Sequence, residues 1–513
     1  MLADGRRQWV ERGRMMRGGS VFSEGRATHR LCGVLAIIGS LVMLACTPLS
    51  GAAGAAGAAG AAGAAERSAN GFTPTPVTRA STSTRGVTAK AINVVFPIIS
   101  LTSVEGAFEV EEDAEFGEQV KAIHLFVNQI NTAGGINGRT INPMIVPFDP
   151  TSDASIRALC KQWTEGNPPV FAVLDGVGTL EGDNELCITQ EGHTPMLAQW
   201  TTITDWTELG APYLWWTGPD DAPVLSATVS WGLSSGRLGH GTKVGVVVSD
   251  QASDQAALNY YLLPDLKKIG VTPLIETVAA DLGETAGTDS DATLAVERFK
   301  AAGVQSVIPL LPENAFLPFV GAETSQHFFP RLLLSDYQFG IEIALGLIPI
   351  PYEKALNGQE GVTTETLGGI DEPEPEAQGG YDPGVRSCWT LWHKTYPQTP
   401  KGNINDFIEE QGPVQAWCQE IRLFAKAATM AGRNLNRRTF VEAMSRVTNF
   451  PGGFSPTLSY GPDKFYGPTE YRVVKVHDNH PPTTQCLRGK PPAPAAGVCW
   501  VVVQNWKALP GAT

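Results

Sequence analysis

The stretch from Ala91 to Asp149 constrains the fold more than any other. Residues 91–98 (AINVVFPI) are an apolar, β-branched run of strand length. A polar loop follows over 100–112, and Asp113 then stands where it can cap a helix. The apolar residues Phe116, Val120, Ile123, Val127 and Ile130 recur at helical spacing, which lines one helix face. Asn131-Thr132-Ala133-Gly134-Gly135 predicts the stop, because glycine takes left-handed backbone without a Cβ clash. Residues 140–148 predict a second strand that ends at Asp149. Strand, helix and strand within about sixty residues make a βαβ unit, so the sheet is parallel and ligands gather at the strands' carboxyl ends.

The alternation continues. Helices are predicted over 156–164 and 182–191, with strands over 170–174, 195–200 and 213–216. The pattern restarts near Gly218-Pro219: helix 224–234, strand 243–249, helix 254–269, strand 272–278, helix 291–302, strand 306–311, helix 315–325 and strand 331–334. Two successive parallel α/β blocks of similar size predict two Rossmann-like lobes. Residues 361–366 read as an exit strand, 371–384 as an acidic Pro/Gly crossover, and 413–431 and 436–445 as helices.

The N-terminus reads as an export signal. Arg26 and Arg30 supply positive charge, and the apolar run 31–45 is shorter than a membrane span requires. It ends Met43-Leu44-Ala45-Cys46, which resembles a bacterial lipobox, with Cys46 as the lipidated residue and Met43 where Leu is usual. Ordinary cleavage nearby would instead leave Cys46 as a thiol. Five GAA triplets (51–65) and Thr/Ser/Pro-rich sequence to Thr88 bury almost nothing and predict a flexible tether over 47–90. Residues 1–46 hold seven of the 38 Lys+Arg and three of the 52 Asp+Glu, so the remainder is net −18. That balance argues against a nucleic-acid partner. Beyond Cys32 and Cys46 lie Cys160, Cys187, Cys388, Cys418, Cys486 and Cys499. Outside the cytosol these predict three disulfides, and pairing of sequence neighbours (160–187, 388–418, 486–499) is expected among the open pairings.

The text "NQINTAGGINGRTINPMIVPFDPTSD" (Asn128–Asp153) resembles the substrate-binding proteins of branched-chain-amino-acid-type ABC transporters, which have the type I periplasmic binding fold. "FSPTLSYGPDKFYGPTEYRVVKV" (454–476) is similar to the same family's closing segment, a hairpin that returns to the second lobe. The resemblance covers roughly 91–477 and implies two lobes joined by three crossover strands that close on a ligand. It gives these parts: signal and lipobox 1–46, linker 47–90, first lobe 91–217 and 367–450, second lobe 218–366 and 451–480, and a C-terminal extension 481–513.

The resemblance also implies site residues. Thr179 stands where the family supplies a hydroxyl to a ligand carboxylate, in a loop at a strand's carboxyl end. Trp200, Thr201 and Thr202 fall where backbone groups and a Thr bind the ligand's carboxylate and ammonium; Trp200 either walls a pocket or plugs the sheet's end. From the second lobe come Glu313, Asp336 (the family's partner for an ammonium) and Tyr337, and Phe108 packs over the ligand's apolar part. Two features depart from the family: extra residues over 104–112, and Ser253-Asp254 where an aromatic usually closes over the ligand.

Other motifs carry less. Gly176-Val177-Gly178 with Gly182 misses the dinucleotide spacing and sits on the third strand, so no cofactor is expected. Gly232-Leu233-Ser234-Ser235-Gly236 matches a nucleophile elbow in letters, yet it closes a helix and precedes a strand. His477 and His480 lack a third ligand nearby, so no metal is expected. No nucleophile, base and orienting group converge, which argues against an enzyme. The expected protein is an extracytoplasmic lipoprotein on the outer face of the cell membrane. It would capture an amino acid or related carboxylate between two α/β lobes for a permease. A sensor lobe or a surface interaction module is the alternative.

Overall fold

The computed structural model describes residues 80–99, 112–148, 153–176, 183–199, 204–280, 285–337, 352–365, 383–397, 412–478, 487–488, 493–494 and 498–512. Its first sheet begins with β1 (Ala91–Ile99), which is covered on both sides. Ile92, Val94, Phe96 and Ile98 enter one apolar cluster and Val95 another. That is why the strand reads apolar throughout instead of alternating. α1 (Glu112–Thr132) seats Ile123, Phe126 and Val127 in the cluster that holds Phe96. Asp113 lies inside this helix and not before it.

The helix stop is built as its sequence predicts. Gly134 and Gly135 have φ of +104° and +66°, and the Gly135 N–H donates to the Ile130 carbonyl at 3.0 Å. A Cβ on Gly135 would lie 2.1 Å from the Arg139 carbonyl oxygen, so the position requires glycine. Asn131 then pairs with Ile141 through both its amide nitrogen (2.9 Å) and its amide oxygen (2.8 Å). This side chain fixes where β2 (Thr140–Phe148) begins. β2 pairs in parallel with β1 along its whole length, and its place at the sheet edge tolerates Pro143 and Pro147.

α2 (Asp153–Glu165), β3 (Ala172–Asp175), a helical stretch over 183–191, β4 (Met196–Ala198), α3 (Thr204–Gly210) and β5 (Leu214–Trp216) complete the first sheet. Its order is β2-β1-β3-β4-β5, all parallel. The short helix α3 was not anticipated. A disulfide joins Cys160 of α2 to Cys187.

The chain then enters a second sheet through α4 (Asp221–Ser234), whose Val224, Leu225, Ala227, Val229 and Trp231 are all buried. β6 (Val244–Ser249), a helical stretch over 252–268 with a π segment at Ala257–Leu262, β7 (Leu274–Val278), α5 (Thr285–Ala302), β8 (Ser306–Leu310), α6 (Glu313–Ser325), β9 (Arg331–Ser335) and β10 (Glu360–Thr363) follow. α7 (Pro383–Thr395), which begins at the end of the acidic Pro/Gly crossover, α8 (Gly412–Met430) and α9 (Arg437–Met444) return to the first lobe. The Cys388–Cys418 disulfide ties α7 to α8; Cys486 lies outside the described residues. A small hairpin, β11 (Phe450–Pro451) and β12 (Thr457–Leu458), precedes β13 (Glu470–Asp478), which lies antiparallel on β10. Beyond the two-stranded ribbon β14 (Leu487–Arg488) and β15 (Ala493–Pro494), β16 (Val498–Ala508) runs antiparallel to β13. The second sheet is therefore ordered β16-β13-β10-β9-β8-β6-β7. It is parallel from β7 to β10; β13 runs against that direction, and β16, antiparallel to β13, returns to it.

Residues 80–90, read from the sequence as the end of the tether, pack against the first lobe. Ala80 is buried, and its carbonyl accepts from the Arg438 side chain at 2.9 Å. The Ser81 N–H donates to the Tyr213 hydroxyl at 2.7 Å, and the Arg437 N–H donates to the Ser83 carbonyl at 3.0 Å. Gly86, at φ +79°, lets this strap touch β3's approach: a Cβ there would sit 2.1 Å from the Phe171 nitrogen. The end of the assigned linker is thus part of the first lobe. Composition missed it because the strap is held by backbone groups and by arginines more than 350 positions away.

Candidate functional site

In each sheet the carboxyl ends of the parallel strands carry the polar residues. On the first lobe, β3 ends at Asp175, which is wholly buried. Gly176 follows, and a Cβ there would meet the Trp417 ring at 2.6 Å, so the turn after β3 is pressed against α8. β4 ends beside Gln199, and β5 beside Thr217. The Thr217 N–H donates to the Ala198 carbonyl at 2.7 Å, and its hydroxyl donates to the Gln199 amide oxygen. That same oxygen accepts from the Gln419 amide at 3.0 Å. The Gln419 oxygen in turn takes the N–H groups of Gly453 and Phe454 at 2.6 and 3.1 Å. Two glutamines therefore bind β4, β5, α8 and the third inter-lobe connection into one buried network.

Beside them Glu420 is wholly buried, and burial first, then the charge of Asp175, push its carboxyl well above the usual range. The Tyr460 phenol is likewise pushed up by burial and by Glu420. Its hydroxyl donates to the Trp216 carbonyl at 2.9 Å. Nothing local in the sequence marks these residues, since Gln419 and Glu420 sit within an apolar helix and become neighbours of Asp175 only through the fold.

On the second lobe, β6 ends at Ser249, whose hydroxyl donates to Asp254. Asp254 is wholly buried and accepts from the Tyr337 hydroxyl through its other oxygen. Asp254 thus stands where the sequence lacked an aromatic, and Tyr337 reaches across to it from the end of β9. Asp336 is buried and accepts from the Thr364 N–H at 2.7 Å and the Thr364 hydroxyl at 2.9 Å. Burial pushes its carboxyl up to about 6; the bonds from Thr364 and Thr363 and the charge of Arg472 oppose that rise. Arg472 is itself buried, donates to the Glu365 carbonyl at 3.1 Å and stacks over Trp506 at 4.8 Å. Asp336 therefore holds the start of the second inter-lobe connection.

Of the eight ligand-site candidates, Asp336 and Tyr337 lie together at the carboxyl edge of the second sheet, and Glu313 is the first residue of α6 beyond β8. Phe108, Thr179, Trp200, Thr201 and Thr202 lie outside the described residues, in the segments that follow β1, β3 and β4. The remaining motifs read as structure. α4 ends at Ser234, and Gly236 takes φ +70° as a helix stop. His477 lies in β13. Among the described residues no group of three His, Cys, Asp or Glu side chains gathers as a metal site. Among them, too, no helix is long and apolar enough to cross a membrane.

Comparison with known proteins agrees with this architecture. Residues 103–331 match the periplasmic binding protein family. No curated protein sequence matches the chain. Among solved structures, a fatty acid ABC transporter substrate-binding protein from Thermomonospora curvata is similar with a TM-score of 0.55 at 17% identity, over 83% of this chain and 95% of that one. A solute-binding protein of an ABC transporter from Rhodopseudomonas palustris BisB5, in complex with 3,4-dihydroxybenzoic acid, is similar at 0.55 and 13%, over 82% and 99%. A branched chain amino acid ABC transporter from Thermus thermophilus with bound valine is similar at 0.54 and 14%, over 80% and 97%. With two α/β lobes joined by three connections and a match to the periplasmic binding protein family across residues 103–331, this chain has the type I periplasmic binding fold.

Proposed function

We propose that this protein is an extracytoplasmic solute-binding lipoprotein that captures a small carboxylate, an amino acid or a relative of one, between its lobes and presents it to an ABC-type permease. The observation that carries the reading is the pair of parallel sheets whose polar carboxyl edges are joined by three connections. Such edges are where open α/β sheets take ligands. The bound molecules named for two structural neighbours, valine and 3,4-dihydroxybenzoic acid, and the fatty acid named for a third, share a carboxyl group, which supports the ligand class.

In this reading Thr179 and Trp200–Thr202 hold the carboxylate from the first lobe and Phe108 covers the apolar part. Glu313, Asp336 and Tyr337 complete the site from the second lobe, the latter two also keeping its edge in shape. Ligand shifts the lobes toward closure only by binding the closed form more tightly. Cys46 carries the lipid that holds the protein at the membrane's outer face.

The test is a thermal-shift screen of the protein against amino acids, aromatic acids, fatty acids, amides and sugars. A ligand at a hundred times its dissociation constant adds about 2.7 kcal/mol of stability, which is readily seen as a shift. The expected hit is a carboxylate whose shift is lost in Thr179→Val and in Trp200→Ala. A hit that survives both substitutions overturns the site. A shift from sugars or amides alone overturns the ligand class.

A further inference from the structure

The first and third connections between the lobes meet around one lysine. Trp216, the last residue of β5, donates its N–H to the Phe465 carbonyl at 2.7 Å and forms a parallel bridge with Tyr466. Tyr460 closes the contact from the other side through its bond to the Trp216 carbonyl. Between them a tight turn bridges Gly461 to Lys464. The Lys464 Nζ folds back beneath its own segment and donates to the carbonyls of Ser459, Tyr466, Pro468 and Gly467 at 2.6, 2.8, 3.1 and 3.3 Å. It also lies 4.1 Å from the centroid of the Tyr466 ring.

Every partner in this cage is electron-rich. An ammonium, with three N–H donors and no lone pair, suits four carbonyl oxygens and a ring face. A neutral amine has two donors, and its lone pair must point at a carbonyl or at the ring. The cage therefore holds together through charge, and its members are the backbone of the third connection itself.

The groups that face it come from three elements. From the first connection and the start of α4 come Asp220 and Asp221, with Glu208 of α3 next to Asp220. From the third connection comes Tyr466, whose ring lies against the ammonium and whose hydroxyl donates to the Gly511 carbonyl at 3.1 Å. Asp220 is buried and accepts from the Thr207 hydroxyl at 2.9 Å. Burial and the charge of Asp221 push its carboxyl well up, so it is a weak counter-charge. Burial pulls the Lys464 ammonium down to about 7, while Asp220 acts the other way.

We propose that Lys464 is a protonation-dependent brace within the third inter-lobe connection that keeps it paired with the first. Charged, it gathers the carbonyls of the third connection, keeps that connection paired with Trp216 and narrows the range of lobe angles. Neutral, it releases the carbonyls and widens that range. The proposal rests on the two-lobed fold and is independent of which ligand the cleft takes.

The experiment measures the distance between labels at Lys161 on α2 and Glu297 on α5, both at the surface, by pulsed electron spin resonance on the full chain without ligand. The labels are attached through a non-cysteine chemistry that leaves the disulfides intact. The wild-type distance distribution is expected to broaden as pH rises through a midpoint near 7. Lys464→Met should show the broad distribution at every pH, and Lys464→Arg the narrow one. A wild-type distribution that does not change with pH overturns the proposal, as does a wild-type-like pH response in either variant. Should Lys464→Met fail to fold, Lys464→Arg decides alone. Because no ligand is added, failure here leaves the solute-binding reading standing, and failure of the ligand screen leaves this one standing.

Discussion

Asp336 allows a prediction whose size follows from the structure. Its carboxyl is buried at the end of β9, and burial carries its pKa from the ordinary 3.8 to about 6 despite Thr364 and Arg472. At about 1.4 kcal/mol per pH unit, that difference corresponds to about 3 kcal/mol between the two protonation states. The unfolded chain releases this proton near 3.8, while the folded chain keeps it until about 6. In that window the unfolded state binds fewer protons, so stability falls as pH rises and levels off above it. Asp336→Asn removes the titration and keeps an oxygen that can accept from the Thr364 N–H. Urea unfolding across a pH series should show the wild type losing about 3 kcal/mol more than the variant from well below 3.8 to well above 6. Asp220, Glu323 and Glu420, which burial also pushes up, contribute to both proteins and cancel in the comparison. Equal pH slopes for the two proteins would refute the argument, and so would a steeper fall in the variant.

Two more perturbations test other parts of the molecule. Replacing Cys388 and Cys418 together by Ser opens a loop of 30 residues, which on the loop-entropy estimate lowers stability by about 3.6 kcal/mol. Calorimetry checks this, and unchanged melting would show that α7 and α8 are held by packing alone. Cys46→Ala should move the protein out of the membrane fraction; retention there would sink the lipid anchor.

Much of the fold was legible because it rests on local rules. The Asn131–Gly135 stop, the both-sides-apolar β1 and the restart after Gly218 depend on turn geometry and hydrophobic period, which the sequence carries directly. The helix α7 was hidden because it begins with a Pro-Gly pair at the end of an acidic loop and is stabilised by the bridge from Cys388 to α8. The strap over 80–90 was hidden because its partners, Arg437 and Arg438, are remote in sequence. The site shows the same division. Resemblance pointed to Asp336 and Tyr337, which stand at a strand's carboxyl end. It missed Gln199, Gln419, Glu420 and Lys464, whose roles arise from contacts between segments and leave no trace in spacing.

The strap that precedes β1 has a mechanical consequence. Because Ala80–Gly86 is hydrogen-bonded to α9 and, through the Gly86 carbonyl, to Asn93 of β1, any pull on the N-terminal side of Ala80 is taken up inside the first lobe. The second lobe is joined to that load only through the three connections. In the proposed solute-binding cycle the first lobe would be the stator and the second the rotor, so opening and closing would not work against an N-terminal attachment.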